Sequence, residues 1–383
     1  MKPQLSRRLF MGMTGVAALG ATSAALKPAM AVAQSGSSSA PKYGPAPGVA
    51  KLNANENPYG PSKAALTAMT EASAMGAYYV GDSVSRLKSM IGERFGLPPS
   101  QVSLSSGSSG VLTYFTLAKA KEGKILGTDL FWDTTTRAAL RQGGELVRTA
   151  PTGDLGVDLD ALYAAITPEV SMVQICNPNN PTGMALEPDK LRDFCIKASK
   201  KCTVLVDEAY NEITDDPAAN TMVPLIRDGH DVVVARTFSK IYGLAGMRVG
   251  YLLASEENTA KTANYSLGDY ALNQAGVAAA VASFDDTAFL TFSKNRILEA
   301  RQLIVDAATE NGLRVAPSQT SFVYVDLGSL DAEAFRAAMA EQNVLIRGIY
   351  QDYTGWSRVS CGRLENVQQY AAAMPRALEA IGA

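Results

Sequence analysis

Lys240 is the residue of this sequence whose surroundings best suit covalent chemistry. It follows an apolar run at residues 232–234 and a polar turn at residues 236–239, and apolar and glycine-rich sequence comes directly after it. Loss of hydration in such a setting disfavours the ammonium form of a lysine, so the amine can be neutral and nucleophilic. Such an amine can form a Schiff base with a carbonyl group. A structural lysine at a strand edge is the alternative interpretation.

Three side chains close to Lys240 predict a site for a phosphate. Thr237 and Ser239 carry hydroxyls on the same turn, and Arg248 follows eight residues after Lys240. Hydroxyls and a guanidinium are suitable donors to phosphate oxygens. A purely structural role for Arg248 is the competing interpretation.

Two further stretches place polar side chains where apolar strands are expected to end. Residues 176–183, CNPNNPTG, follow a strand-like run, and their prolines make a rigid turn that presents an amide. Residues 204–206 are apolar and lead directly to Asp207. A carboxylate at the end of a buried strand is costly unless it meets a positive partner, and a protonated pyridine nitrogen would be such a partner.

These motifs together resemble a known family. NPNNPTG, VDEAY, RTFSK and GLAGMRVGY stand in the order and at about the spacing of the pyridoxal-phosphate-dependent aminotransferases of class I and II, fold type I. The sequence LNANENPYGPS at residues 52–62 resembles the amino-terminal signature of the histidinol-phosphate aminotransferase subgroup. The resemblance extends from about Lys51 to the carboxyl end, and the combined motifs are highly specific.

The resemblance implies pyridoxal 5′-phosphate as the cofactor and gives several residues a role. Lys240 would be the lysine of the internal aldimine, and Asp207 the partner of the pyridine nitrogen. Asn180 and Tyr210 would donate to the 3-oxygen of the ring. The expected catalytic residues are Lys240, Asp207 and Tyr210, and the residues expected at the cofactor phosphate are Thr237, Ser239 and Arg248.

Further cofactor contacts are expected outside these motifs. A turn rich in glycine and serine precedes a predicted helix at residues 111–120, and its Ser108 and Ser109 are expected to bind the phosphate. Trp132 stands where the family usually has a tyrosine against the ring, with an ordinary core position as the rival interpretation. Tyr79 matches the family's tyrosine that reaches the phosphate of the neighbouring subunit. That role requires a homodimer, and an aromatic loop anchor is the alternative.

The resemblance also implies how a substrate is held. Arg358, in RVSCG, matches the arginine that binds the substrate carboxylate with two bonds, and Arg347 is a second candidate anion contact. The implied reaction moves an amino group between an amino acid, or a related amine, and a 2-oxo acid, with Lys240 carrying the proton. Histidinol-phosphate aminotransferase proper, or a decarboxylase or oxidase on the same scaffold, is the alternative.

The composition argues against several other functions. A net charge of −2 and the lack of a basic run beyond the first residues argue against a nucleic-acid partner. One histidine, His230, is too few for a histidine-based metal cluster, and the four cysteines form no C-x-x-C motif, so no metal is expected. Cys176 and Cys361 are expected in the core, although an oxidising compartment would permit a disulfide.

Residues 1–33 are predicted to be a twin-arginine export signal. They contain SRRLFM at residues 6–11, a weakly hydrophobic stretch rich in alanine and glycine, and the cleavage-site sequence AVA at residues 31–33. The hydrophobic stretch is short for a membrane span, so cleavage and a periplasmic or otherwise exported location are expected. Export conflicts with a role in histidine synthesis, which is cytoplasmic. Residues 34–50 are predicted to be a flexible linker.

The remaining chain is predicted to form an α/β fold with two domains, because 383 residues exceed what one compact core usually holds. Strand and helix patterns alternate through residues 76–285, which predicts a large domain with a mostly parallel, helix-covered sheet and ligand groups at strand ends. Residues 51–75 and 286–383 are predicted to form a smaller α+β domain with an antiparallel strand at residues 321–326.

Overall fold

The computed structural model describes residues 43–382. The predicted export signal at residues 1–33 and the predicted linker as far as residue 42 lie outside the described residues. The last residue of that predicted linker, Ala50, pairs with Val344 as the first residue of a strand.

Within the described residues the chain forms thirteen α-helices. They are α1 Lys63–Ser73, α2 Asp82–Phe95, α3 Ser108–Ala120, α4 Thr136–Leu140, α5 Leu159–Ala164, α6 Pro188–Ala198, α7 Pro217–Asn220, α8 Val223–Arg227, α9 Glu256–Ala263, α10 Gln274–Phe284, α11 Thr287–Glu310, α12 Ala332–Glu341 and α13 Leu364–Ala380. In this part of the chain no single helix has the length and hydrophobicity of a membrane span. Taken as a pair, α10 and α11 have that length and hydrophobicity, but they are bent by 89° relative to each other.

The strands separate into one large and two small sheets. They are β1 Ala50–Lys51, β2 Val102–Ser105, β3 Lys124–Thr128, β4 Leu146–Thr149, β5 Val170–Cys176, β6 Thr203–Asp207, β7 Val232–Thr237, β8 Gly250–Leu253, β9 Arg314–Val315, β10 Phe322–Asp326, β11 Val344–Leu345 and β12 Trp356–Ser360. The large sheet has the order β2-β8-β7-β6-β5-β3-β4.

The large sheet is parallel except for β8, which runs antiparallel to β2 and β7. Its central strands β6 and β7 are buried at every residue, and β5 at every residue except Ser171. Strands buried along almost their whole length are typical of parallel sheets that carry helices on both faces. The predicted α/β fold with a mostly parallel sheet is confirmed.

The small sheets come from the beginning and the end of the described chain. Strand β10 pairs antiparallel with β12 and β9, as the alternation at residues 321–326 predicts, and β1 pairs parallel with β11. Strand β11 ends at Leu345, and Arg347 beyond it forms an isolated bridge with Arg358. The division into two domains at residues 75 and 285 remains a prediction.

A buried ion pair fixes the ends of β6 and β7. Glu208, directly after β6, accepts hydrogen bonds from Arg236 Nε at 3.1 Å and Nη2 at 2.6 Å. The amide of Met222 at 2.7 Å and the hydroxyl of Thr221 at 2.9 Å also donate to this carboxylate. Removing one partner of such a satisfied buried pair costs about 3–5 kcal/mol. The pair therefore holds Asp207 and the turn before Lys240 at a defined separation.

Candidate active site

A cavity of about 430 Å³ lies at the carboxyl ends of β5, β6 and β7. All of the predicted site residues line it except Tyr79 and Arg347. Polar loops at strand ends are where open parallel sheets place their ligands. A larger groove of about 750 Å³ beside α6 shares only Cys176 with this cavity and contains none of the predicted site residues.

Lys240 is half-buried just beyond the end of β7. Its Nζ donates to the backbone oxygen of Asn55 at 3.3 Å and lies 5.4 Å from the centre of the Tyr210 ring. Burial lowers the pKa of Lys240 to about 8, and the charge of Arg358 acts in the same direction. The neutral amine that the sequence predicts is therefore accessible near neutral pH.

Asp207 is the last residue of β6, and only 4 % of it is exposed. Its Oδ1 accepts from the amide of Ala209 at 3.2 Å. Burial raises the pKa of Asp207 to about 7, against the opposing effects of that hydrogen bond and of Lys240. A carboxyl group in this state gains from a cationic partner inside the cavity.

Arg358, on β12, reaches the cavity with a buried guanidinium. Its Nη1 donates to Oδ1 of Asn180 at 2.6 Å, whereas its Nε has no hydrogen-bond partner among residues 43–382. Burial lowers the pKa of Arg358, which shows how poorly this cation is solvated. A buried guanidinium with a free donor favours an anionic ligand.

Tyr210 lies beside Arg358 and Lys240, and its ring packs edge-on against Phe322 at 5.2 Å between centres. Its hydroxyl accepts from Nδ2 of Asn55 at 3.1 Å. Burial raises the pKa of Tyr210, so the hydroxyl stays protonated and can donate to a ligand.

The other end of the cavity is built for an anion. Helix α3 begins there after Gly107, which has no side chain to cap it, and Oγ of Ser105 accepts from the amide of Val111 at 2.9 Å. Arg248 donates to Oγ of Ser109 at 3.1 Å and to Oγ of Ser239 at 3.4 Å, and Thr237 donates to Ser239 at 3.0 Å. Amides at a helix start, together with an arginine and hydroxyls, suit a phosphate group.

Gly107 keeps this end open. Its φ of 77° lies in the region that favours glycine, and a Cβ at this position would be 2.1 Å from Nη2 of Arg248. Any larger residue would therefore displace the arginine from the start of α3.

Three predicted residues need separate description. Trp132 lines the cavity and is half-buried, and it also packs against two apolar clusters. Arg347 is exposed and lines a neighbouring cavity of about 240 Å³ together with Trp132 and Arg358. Tyr79 does not line the cavity of its own chain: it is 80 % exposed and contacts Tyr270 at 5.3 Å between ring centres.

The structure adds residues that have no predicted role from sequence. Asn55, Glu56 and Cys176 line the cavity. Asn55 and Glu56 belong to the sequence signature at residues 52–62. That signature indicates a subgroup of the family, but it does not indicate which of its side chains face the site. Cys176 is buried and free, like the other three cysteines, and burial raises the pKa of its thiol. Among the described residues no cluster of metal-ligating side chains occurs.

Comparisons with known proteins agree with this geometry. The profile of the family "Aminotransferase class I and II" matches residues 47–374. The histidinol-phosphate aminotransferase of Brevibacillus brevis is 32 % identical over 319 residues, which are 83 % of this chain and 87 % of that protein. The aromatic amino acid aminotransferase of Thermobifida fusca is 33 % identical over 78 % of this chain and 82 % of its own length.

A solved structure shares both fold and sequence. The histidinol-phosphate aminotransferase of Sinorhizobium meliloti, solved in complex with pyridoxal-5′-phosphate, superposes with a TM-score of 0.81. It is 28 % identical, and the match covers 87 % of this chain and 92 % of that chain.

This chain belongs to the class I and II aminotransferase family. It is a pyridoxal-phosphate-dependent transaminase, as the sequence motifs predict. The cavity fits that cofactor. It contains an amine, on Lys240, and a buried carboxyl group, on Asp207. The start of α3 adds a region suited to an anion.

Proposed function

We propose that this chain is an amino-acid aminotransferase in which Lys240 carries the cofactor and Arg358 binds the substrate carboxylate. The observation that carries the proposal is the buried guanidinium of Arg358, which lines the same cavity as Lys240. A carboxylate in the cavity would neutralise its charge. Twofold donation by an arginine also fixes the orientation of the carboxylate.

Each proposed role follows from a property of the side chain. Pyridoxal phosphate, when bound, supplies an aldehyde for amines and a ring that withdraws electrons from the α-carbon. Lys240 Nζ would take the proton from the α-carbon of the substrate, because its lowered pKa lets the amine act as a base. Asp207 would favour a protonated ring nitrogen, because a buried carboxylate and a cation stabilise each other's charge.

The remaining contacts orient the cofactor. Asn180 uses its oxygen to accept from Arg358, so its amide nitrogen is left to donate to the 3-oxygen together with the hydroxyl of Tyr210. Trp132, which lines the cavity, would cover one face of the ring. The proposed phosphate ligands are Ser108, Ser109, Thr237, Ser239 and Arg248.

Borohydride reduction of the loaded enzyme followed by peptide mapping tests this assignment. The cofactor label is expected on Lys240, and a label on another lysine contradicts it. Product analysis with amino acids then separates the alternatives. A 2-oxo acid and a second amino acid identify transamination, whereas carbon dioxide or hydrogen peroxide would identify a decarboxylase or an oxidase.

A second copy of this chain is the proposed partner. Large apolar side chains are exposed together around Tyr79: Met75 at 57 %, Tyr78 at 71 %, Leu267 at 75 % and Tyr270 at 77 %. Exposed aromatic clusters of this kind support an interface between proteins. Tyr79, which does not line the cavity of its own chain, would reach the cofactor phosphate of the partner subunit across a two-fold axis.

Arg347 supports a substrate with a second anionic group. It lines the cavity next to Arg358, where Arg137 is paired with Asp133 at 3.0 Å, so Arg347 adds a positive charge beyond the carboxylate site. Histidinol phosphate is the second candidate substrate, because relatives with that named activity are 32–33 % identical to this chain. Comparing kcat/KM for histidinol phosphate and for acidic and aromatic amino acids decides between these substrates.

The proposed location is the periplasm. Support comes from the twin-arginine sequence at residues 6–11, outside the described residues. Replacing Arg7 and Arg8 by lysine should keep the enzyme in the cytoplasmic fraction, and unchanged distribution would contradict export by this route.

A further inference from the structure

Asn55 holds a backbone conformation that is rare for residues other than glycine. Its φ is 53°, in the left-handed region, where asparagine is tolerated better than most side chains. Only 2 % of the residue is exposed. Its backbone oxygen accepts from Nζ of Lys240 at 3.3 Å, and a different backbone conformation would turn this oxygen away from the amine.

The side chain of Asn55 makes two further contacts inside the site. Nδ2 donates to the hydroxyl of Tyr210 at 3.1 Å, and Oδ1 accepts from Oγ of Ser360 at 2.6 Å. The backbone amide of Asn55 donates to the same Oγ at 2.8 Å. Ser360 ends β12, two residues after Arg358. One residue thus contacts the lysine, the tyrosine and the strand that carries the arginine.

We propose that Asn55 is a positioning residue, whose carbonyl holds the Lys240 amine and whose amide group fixes the Tyr210 hydroxyl, both in register with the strand of Arg358. The inference rests on the proposed roles of these three residues. The carbonyl of Asn55 would keep the Lys240 amine beside the cavity while that amine has no covalent partner and can move a proton.

A carbonyl acceptor favours the charged form of an amine, so losing it should make Lys240 deprotonate at lower pH. The other groups that face this amine are the negative Asp207 and Glu56, the positive Arg358 and Arg248, and the ring of Tyr210. All of them remain when Asn55 is replaced.

The experiment measures Lys240 in the ligand-free protein. Formaldehyde and cyanoborohydride methylate the amine, and peptide mass spectrometry gives the rate as a function of pH. Asn55→Ala disfavours the left-handed backbone and removes the side-chain bonds, whereas Asn55→Gly removes the bonds and keeps the backbone. Asn343→Ala is the matched control, because Asn343 has a φ of 60° but is exposed outside the cavity.

The pH of half-maximal methylation should fall by about 0.5 units or more in Asn55→Ala and by less than about 0.2 units in Asn55→Gly and Asn343→Ala. In the loaded enzyme, Asn55→Gly should lower kcat about tenfold, because Tyr210 loses its donor.

A wild-type pH profile in Asn55→Ala, or an equal shift in the control, overturns the proposal. If Asn55→Ala does not fold, unchanged kcat in Asn55→Gly overturns it. Wild-type protein without transaminase activity would refute the proposed function and leave the methylation result standing.

Discussion

Arg358 donates from Nη1 to Oδ1 of Asn180 at 2.6 Å, which connects strand β12 to the turn after strand β5 across 178 positions of the chain. The side-chain oxygen of Asn180 accepts this bond, and its side-chain nitrogen remains available as a donor. The same bond fixes one edge of the Arg358 guanidinium. The substrate contact and the cofactor contact proposed for these residues therefore depend on each other.

Replacing Arg358 by lysine should raise the KM for amino acids at least about tenfold, because a lysine cannot reproduce twofold donation and a lost buried pair costs about 2–5 kcal/mol. Simple amines, which lack the carboxylate, should be affected much less. Steady-state kinetics with both substrate classes measures the difference. Arg363→Lys is the control, since Arg363 is exposed and bonds to the backbone of Pro58. Equal losses for amino acids and amines would refute the carboxylate role.

Asp207→Asn should change how the stability of the ligand-free protein depends on pH. Because the pKa of Asp207 is raised from 3.8 to about 7, the folded protein binds a proton that the unfolded chain has released. Between about pH 4 and 7, this residue should lower the free energy of unfolding by about 1.4 kcal/mol per pH unit as pH rises. Denaturant titrations at several pH values should show that slope in the wild type relative to Asp207→Asn. Parallel curves would contradict it.

The same substitution should remove most of the transaminase activity while the cofactor still attaches to Lys240. A neutral amide cannot hold a proton on the ring nitrogen, so electron withdrawal from the α-carbon weakens. Turnover and borohydride labelling are measured on the same preparation. Near-native turnover in the labelled variant would show that Asp207 does not have this role.

Gly107→Ala should weaken binding of the cofactor about tenfold or more, because displacing Arg248 removes a hydrogen bond to a charged group. Gly143→Ala is the matched control: its φ is 85°, but a Cβ there meets no atom within 4 Å. Both variants should lose similar stability from the backbone strain. Equilibrium titration with pyridoxal phosphate separates them, and equal affinity in the two variants would argue against the anion site.

Tyr79→Ala should weaken cofactor binding about tenfold if Tyr79 bonds to the phosphate in a partner subunit, whereas Tyr43→Ala, outside the proposed interface, should not. Both tyrosines are exposed in the single chain, at 80 % and 91 %. Sedimentation of the wild type should give a dimer. Full activity in a preparation that sediments as a monomer would exclude a shared site.

The cavity could be anticipated from sequence where its residues end neighbouring strands. Asn180, Asp207 and Lys240 lie at or just beyond the ends of β5, β6 and β7, which are adjacent in the sheet, so motif order alone brings them together. The same logic applies to the hydroxyls of Thr237 and Ser239 at the end of β7. The fold class is predicted from the alternation of strand and helix patterns.

Contacts that depend on distant chain segments could not be derived in this way. Asn55 acts through a left-handed backbone and hydrogen bonds to Tyr210 and Ser360, and no local pattern encodes either. Arg347 is a candidate anion contact from sequence, but it forms a bridge with Arg358 and lines the neighbouring cavity. For Tyr79, the missing information is the surface of a second chain.

The bonds between Asn55 and Ser360 join residues 305 positions apart. A ribosome must therefore release almost the entire polypeptide before the carbonyl beside Lys240 gains its anchor. Chains that stop before residue 358 contain the lysine, yet they lack both Arg358, which lines the cavity, and Ser360, which anchors Asn55. Translation through β12 is thus the step that supplies these two residues.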